Sequence, residues 1–245
     1  MNPTINELKE RKSVRIFENR KISEEDEEII LQSAIEAPTA GNQMLYSIIN
    51  VKNKSLKNEL SITCDNQGFI NEAPLVLIFL ADTRRWYDSY VHAGILPRKP
   101  LVGDLFLAIE DAMIAAQNSV VAAWSMGIGS CYIGDILENR EKVMKLLHLD
   151  EYVVPITMVV YGYPTANQTR RKKPKRFNKE YIVFEDEYRR MSKEEHIKMF
   201  TERSEDENFD FYDFIGKFHK RKYASNFSLE MSRSSLDYLK FFQEE

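Results

Sequence analysis

The most regular pattern of apolar positions in the chain lies in residues 104–126, a stretch without glycine or proline. Apolar residues recur there every three or four positions, which is the period of one face of an α-helix. The members of this face are Leu105, Ile109, Ala112, Ala116, Val120 and Ala123. The other faces are also largely apolar, and such a helix is usually buried in a core or a subunit interface. Polar residues such as Glu110 and Asp111 interrupt the run, which argues against a membrane span.

Shorter patterns on both sides of this helix predict alternating helices and strands. Helices are predicted in a short N-terminal segment, between Ser23 and Pro38, over Lys54–Thr63 and in ENREKVMKLLHL. Strands are predicted for YSIINV, LVLIFLA, VVPITMVVYGYP and the glycine-flanked GIGSCYIG, where the backbone could lie close to a flat ligand. The aromatic stretch Arg84–Pro100 is predicted to be irregular: it is a candidate lid or pocket rim, and an ordinary surface loop is favoured over that reading. The alternation predicts a sheet covered by helices.

Composition and charge narrow the function classes. With 43% hydrophobic and 29% charged residues, the chain has the composition of a globular protein. Its net charge of −4 means that it lacks the overall excess of basic residues that would favour binding of a nucleic acid. Its N-terminus has no apolar run, which predicts that there is no signal peptide. Cys64 and Cys131 lack metal-ligand spacing and the four histidines are far apart, so we expect free thiols in a reducing cytosol and no metal site.

Two basic stretches and one polar loop carry candidate chemistry. Residues 11–15, RKSVR, bring three cations and a hydroxyl together and could hold a phosphate, although a solvated helix end has the same composition. The loop PTAGNQ offers small polar groups for a heteroaromatic edge, and it equally suits a plain turn. The run TRRKKPKRF resembles a nucleic-acid patch, against which the overall charge argues. Beyond it, mixed charged and aromatic residues predict an arm without a separate core.

Six segments occur together in an order that resembles the FMN-dependent nitroreductase family, in its flavin reductase and oxygen-insensitive nitroreductase branch. They are RKSVR at 11–15, EAPTAGNQ at 36–43, CDNQGFINEAP at 64–74, GIGSCYIG at 127–134, VVYGYP at 159–164 and KPKRFNKEYIVFEDEY at 173–188. The resemblance implies an α+β fold with a central mixed or antiparallel sheet flanked by helices. It also implies an FMN-binding domain over residues 1–190 and an extended C-terminal helical arm over residues 191–245, packing on the core or on a partner subunit.

The same resemblance implies which residues bind FMN. Arg11 and Ser13 would face the phosphate, Arg15 the N1–C2=O edge of the flavin, and Gln67 the ring system. The full set is Arg11, Lys12, Ser13, Arg15, Pro38, Thr39, Asn42, Gln67, Tyr132, Ile133, Gly134, Lys173, Lys175 and Arg176. The PTAGNQ loop would serve the flavin of the other subunit. Two positions depart from the family pattern: the second basic run is Lys-Pro-Lys-Arg, and Asp65 stands where glycine is common.

The resemblance further implies a cytoplasmic homodimeric flavoprotein that uses FMN as cofactor and NADH or NADPH as reductant, and that has no nucleic-acid or membrane partner. The cofactor would take a hydride at N5 and pass electrons to a nitroaromatic, quinone or flavin acceptor in a ping-pong cycle, so no protein side chain is assigned as catalytic. Three alternatives remain: a specialised dehydrogenase or dehalogenase of the same superfamily, a non-enzymatic FMN-binding redox sensor, and a nucleic-acid-binding protein. The sequence leaves the choice between NADH and NADPH open.

Overall fold

The computed structural model describes residues 2–243. The chain forms two compact units, one that runs up to Arg171 and resumes at Glu230, and one formed by Lys172–Leu229. The predicted functional division into residues 1–190 and 191–245 stays a prediction, since compactness alone does not define where the cofactor-binding part ends.

Four strands and eleven α-helices are found in residues 2–243. The strands are β1 (Tyr46–Asn50), β2 (Leu75–Asp82), β3 (Gly129–Ile133) and β4 (Val153–Gly162). The helices are α1 (Pro3–Glu10), α2 (Glu24–Ile35), α3 (Lys54–Thr63), α4 (Phe69–Glu72), α5 (Arg84–His92), α6 (Val102–Ser125), α7 (Arg140–Leu147), α8 (Ala166–Arg170), α9 (Lys193–Arg203), α10 (Phe211–Phe218) and α11 (Asn226–Leu239).

The strands form one antiparallel sheet in the order β1-β2-β4-β3. Alternate residues of β2 enter two different cores, as the two-residue period of a strand requires. Leu77 and Phe79 pack with Ala112 of α6, whereas Ile78 packs with Leu60 of α3 and Val143 of α7. Because β2 is covered on both faces, its sequence is a continuous apolar run rather than an alternating one.

Helix α6 forms as predicted and lies against the sheet. Its alanines at 108, 112, 116 and 123 are fully buried, and their small side chains allow the helix to approach the sheet closely. The opposite side is apolar but uncovered, with Phe106 59% exposed. By length and composition alone α6 could cross a membrane, but 44% of its most apolar window is buried and a core helix meets the same criteria. One such helix is weak evidence for a span.

The prediction that Arg84–Pro100 is irregular is wrong for its first half, which forms helix α5. The residues that break helices, Gly94, Pro97 and Pro100, all lie beyond the end of α5 at His92. Within the helix, the Arg84 guanidinium pairs with the Asp88 carboxylate one turn later, at 2.8 Å. The aromatic composition of this segment did not indicate the short helix that forms there.

The second unit has a small aromatic cluster of its own around Phe200. The ring of Phe200 contacts those of Phe177, Phe211 and Phe214, and the Arg203 guanidinium lies 4.2 Å from the centre of the Phe177 ring. These four rings are only half-buried, and the expectation of an arm without a separate core stays a prediction. Aromatic rings bury a large area per residue, so a few of them are enough to organise a short segment.

Candidate functional site

The basic turn is fixed to the edge of the sheet beside β3. Ser13 forms a parallel bridge with Ser130, and the Val14 N–H donates to the Ser130 carbonyl at 2.9 Å. A Cβ on Gly129 would lie 2.5 Å from Cγ2 of Val14, so only glycine allows this contact. The close approach that we predicted between this glycine strand and a flat ligand is, at Gly129, an approach to the protein's own N-terminal segment.

The four polar residues of the basic turn have different surroundings. The Lys12 ammonium donates to the carbonyls of Thr169, at 2.6 Å, and Arg171 at the end of α8. The Arg11 guanidinium lies 5.9 Å from the centre of the Tyr132 ring. Arg15 is exposed, and its guanidinium has no partner among residues 2–243. Lys12 thus holds the turn in place, while Arg11, Ser13 and Arg15 remain available for an anion.

The end of β3 offers a backbone surface beside this turn. The Ile133 side chain is buried in the core, so only its backbone can contact a ligand. Gly134 is exposed, and a Cβ added there would meet no atom within 4 Å. The Tyr132 hydroxyl donates to the Gln117 side chain at 3.1 Å, and burial raises the pKa of Tyr132 to about 12. Open space therefore adjoins the backbone at Gly134 and not at Gly129.

Gln67 is held against the segment that follows β3. Its side-chain amide donates to the carbonyl of Cys64 at 3.0 Å and to the Asp135 carboxylate at 2.8 Å. Asp65, which replaces the glycine common in the family, has φ of 62°, and Asn66 has φ of 55°. Both are in the left-handed region, which explains why glycine suits this position and why Asp, which tolerates that region, can replace it.

Two acidic residues near Gln67 were not predicted as part of the site. Glu138 is 4% exposed, and its burial, together with Asp135 and Asp65 nearby, raises the pKa of its carboxyl to about 7. Burial and the neighbouring carboxylates also raise the pKa of the Cys64 thiol. Nothing in the sequence distinguishes these residues from ordinary surface carboxylates. Their neighbours in the fold, Gln67 and Cys64, lie about seventy positions away along the chain.

The loop with the PTAGNQ sequence is fixed by a buried carboxylate that sequence reasoning also missed. Asp111 of α6 accepts from the N–H groups of Ala40 at 2.9 Å and Leu45 at 3.0 Å. Within the loop, the Thr39 hydroxyl accepts from the Met44 N–H at 2.7 Å. The carbonyl of Gln43 accepts from the Trp86 indole N–H at 2.7 Å. Pro38 and Asn42 are exposed on this loop.

The structure brings some of the predicted site residues together. The basic turn, the end of β3 and Gln67 form one cluster, joined by the Ser13–Ser130 bridge and the contact of Arg11 with Tyr132. The PTAGNQ loop is hydrogen-bonded to α5 and α6 instead. The second basic run, Lys173, Lys175 and Arg176, belongs to the other compact unit, where the Lys175 ammonium donates to the Glu202 carbonyl. No group of His, Cys, Asp and Glu in residues 2–243 is arranged to hold a metal ion.

Residues 8–163 match the model of a family described as the Nitroreductase family, which is more than half of the chain. The chain belongs to the nitroreductase family. It is similar to a Bacillus subtilis protein named FMN reductase (NADPH), with 33% identity over 77% of this chain and 75% of the relative. The predicted family and fold class are confirmed.

Solved structures show how far the nitroreductase fold extends along the chain. The NADPH:FMN oxidoreductase of Vibrio harveyi, solved in complex with NAD+, has a TM-score of 0.74 and 26% identity, over 82% of this chain and 83% of that one. A Bacteroides fragilis oxidoreductase has a TM-score of 0.85, with coverage of 98% and 100%, and at 24% identity it supports the fold alone. The fold similarity to the latter extends over nearly the whole of this nitroreductase-family chain.

Proposed function

We propose that the protein is an FMN-dependent NAD(P)H oxidoreductase that reduces nitroaromatic, quinone or flavin acceptors. The observation that carries the proposal is the cationic turn of Arg11, Ser13 and Arg15 along β3, the strand that leads into the open backbone at Gly134. Relatives named FMN reductase and oxygen-insensitive NADPH nitroreductase, at 33% and 30% identity, support the reaction class.

The residues fit FMN in charge and in shape. Arg11 and Ser13 would hold the phosphate, since charge-assisted hydrogen bonds from a guanidinium suit an anion. The open space at Gly134 would admit a flat ring system against the backbone, and Gln67 would meet its polar edge. Arg15 would place a positive charge near the ring. Lys173, Lys175 and Arg176 stay proposed as further phosphate contacts.

When bound, FMN supplies the redox chemistry, in which a hydride arrives from NAD(P)H and electrons leave to an acceptor in a second half-reaction. The chain itself needs to bind, orient and screen the reacting groups from water. The uncompensated guanidinium of Arg15 would stabilise negative charge on the reduced cofactor. The buried carboxylate of Asp111 would preorganise the PTAGNQ loop for contact with the cofactor bound to the other subunit.

An absorption spectrum tests this function directly. The purified protein, after incubation with FMN and removal of free flavin, is expected to show bound flavin that bleaches on anaerobic addition of NADH or NADPH. The faster reductant identifies the nicotinamide preference. A protein that retains no FMN would refute the proposal. A protein that retains FMN but bleaches slowly with both reductants would favour a non-enzymatic flavin sensor.

The uncovered side of α6 supports a homodimer. Phe106, Leu107, Met113 and Ile114 are all at least 38% exposed, and Ile35 of the adjacent helix α2 is 44% exposed. Contiguous exposed apolar residues are typical of protein interfaces. Light scattering should give a dimer for the natural protein and a monomer for Phe106→Glu. Leu96→Glu, at a residue that is 97% exposed in a loop, is the control that should stay dimeric.

A cytoplasmic location is part of the same proposal. Cys64 and Cys131 are free thiols, and both are buried, as expected for a protein of a reducing compartment. Fractionation of the native cells would test it, and recovery of the protein in the membrane pellet after a high-salt wash would contradict it.

A further inference from the structure

A cavity of about 360 Å³ opens between α5 and the start of α6, and none of the residues predicted to bind FMN lines it. Trp86, Tyr87 and Tyr90 of α5 form its aromatic wall, and Pro97 and Pro100 line it from the segment that follows. Cavities of roughly 300–1,000 Å³ with aromatic walls and a few polar groups are the usual form of small-molecule sites. The alternative that this aromatic stretch rims a pocket therefore has structural support.

The aromatic wall is held in a fixed orientation. The indole N–H of Trp86 donates to the Gln43 carbonyl at 2.7 Å, so the polar edge of this ring is already satisfied and its faces are left for stacking. The centres of the Trp86 and Tyr90 rings are 5.8 Å apart, and Tyr90 is 38% exposed, which leaves area for a ligand to cover. The Tyr87 ring contacts that of Tyr152, also with 5.8 Å between the centres. Rings that are already positioned lose little freedom when a flat ligand packs on them.

The two charged residues of the wall neutralise each other. The Arg98 guanidinium donates to both oxygens of the Asp104 carboxylate, at 2.6 and 3.0 Å, and to the Lys99 carbonyl at 3.0 Å. The same carboxylate accepts from the Leu101 N–H at 2.8 Å, at the start of α6. A bidentate pair satisfies the planar fork of the guanidinium and the carboxylate together, so neither charge is left for a ligand ion. The cavity thus suits an uncharged ligand.

We propose that this cavity is a binding site for an uncharged, planar aromatic compound. The ring system would stack on Trp86 and Tyr90, and the neutral pair of Arg98 and Asp104 would border it without adding net charge. The site needs no residue assigned to the cofactor, so it does not depend on the proposed function. It adjoins the PTAGNQ loop, whose last residue, Gln43, lines the cavity.

Isothermal titration calorimetry with two matched probes tests this site. The first, 2-naphthamide, is a neutral bicyclic ring, and the second, 2-naphthoate, is an anion of nearly the same size and shape. The natural protein, with FMN present to occupy the predicted cofactor site, is expected to bind 2-naphthamide with a sub-millimolar dissociation constant. It should bind 2-naphthoate at least about tenfold more weakly, because an unpaired charge is costly to bury. Equal affinities for the two probes, or no binding of 2-naphthamide, would overturn the proposal.

A variant of the aromatic wall locates the binding in this cavity. Tyr90→Ala removes one exposed ring and should weaken the binding of 2-naphthamide roughly three- to tenfold, which corresponds to the loss of one ring contact. Ser89→Ala, at the adjacent exposed position of α5, is the matched control and should leave the affinity unchanged. Full affinity in Tyr90→Ala would place the probe elsewhere on the protein and would contradict the assignment of the cavity.

A second variant tests the charge balance of the wall. In Asp104→Asn the Arg98 guanidinium is free to pair with an anion, so binding of 2-naphthoate should strengthen about tenfold while that of 2-naphthamide changes little. The Asn side chain can still accept from the Leu101 N–H, which preserves the start of α6. Asp88→Asn frees Arg84 in the same way outside the cavity wall, so this matched control should gain no affinity for 2-naphthoate. A gain in both variants, or in neither, would refute the proposed site.

Discussion

The conformation of the PTAGNQ loop should depend on one buried carboxylate, Asp111. This residue is 2% exposed, and its two oxygens accept from the backbone N–H groups of Ala40 and Leu45. Asn42 and Met44 adopt φ of 57° and 52°, in the left-handed region that costs a residue with a side chain roughly 1–2 kcal/mol. The two charge-assisted hydrogen bonds must offset this strain.

The expected magnitude follows from the number of bonds lost. Hydrogen bonds to charged groups contribute about 1.5–3 kcal/mol each, and removal of the Asp111 carboxylate also leaves the buried N–H of Leu45 without an acceptor. We therefore expect Asp111→Ala to lower the free energy of unfolding by about 3–5 kcal/mol. Asp111→Asn keeps one acceptor oxygen and places an amide N–H against the other donor, so the loss should be about 2–3 kcal/mol.

Urea unfolding measures these losses, and amide hydrogen exchange locates them. Exchange at Ala40 and Leu45 should accelerate in both variants, while exchange in β2 should follow only the change in global stability. Glu110→Ala, at the exposed neighbour on the same helix, is the matched control and should change the free energy of unfolding by less than about 0.5 kcal/mol. If Asp111→Ala stays within about 1 kcal/mol of the natural protein and keeps slow exchange at both amides, the reasoning is refuted.

Further predictions concern the glycine strand, the basic turn and a buried thiol. Gly129→Ala should lower the free energy of unfolding by about 1–3 kcal/mol, because the added Cβ would collide with Val14. Gly134→Ala should be nearly neutral for folding and should weaken FMN binding. Equal losses of stability in the two variants would contradict this contrast. Arg15→Ala should leave stability unchanged but weaken FMN retention or lower the flavin potential, and unchanged flavin content, potential and turnover would argue against its role. Cys64 is fully buried and the pKa of its thiol is raised, so it should react slowly with a thiol reagent. Mass spectrometry of the native protein after treatment with such a reagent at pH 8 should find Cys64 unlabelled. Rapid labelling would contradict the burial.

Local patterns predicted most of the fold. The helix over residues 104–126, the helix at Lys54–Thr63 and the strand beginning at Leu75 all form, because each has a period or an uninterrupted apolar run that few other structures satisfy. One exception was α5, whose apolar face is aromatic and whose breakers follow it rather than interrupt it. The family was predicted from six ordered segments, which carry more information together than any one of them.

The site was less predictable because its supporting contacts are remote in sequence. Asp111 lies about seventy residues from the loop that it holds, and a carboxylate in a helix is usually solvated. The same is true of Asp135, which contacts Gln67 across a similar separation. The assignment of individual residues to FMN stays a prediction, and its sharpest checks are the variants at Arg15 and Gly134.

The glycines of GIGSCYIG show why a family motif and a ligand contact are separate matters. Gly127 has φ of 75°, as the turn after α6 requires. Gly129 makes room for Val14, and so fixes the basic turn to the sheet. Gly134 faces open space and has no positive φ, so a ligand rather than the fold can explain its missing side chain. Three glycines in one segment thus have three physical causes. A substitution series along this segment should separate loss of folding at Gly127 and Gly129 from loss of cofactor binding at Gly134.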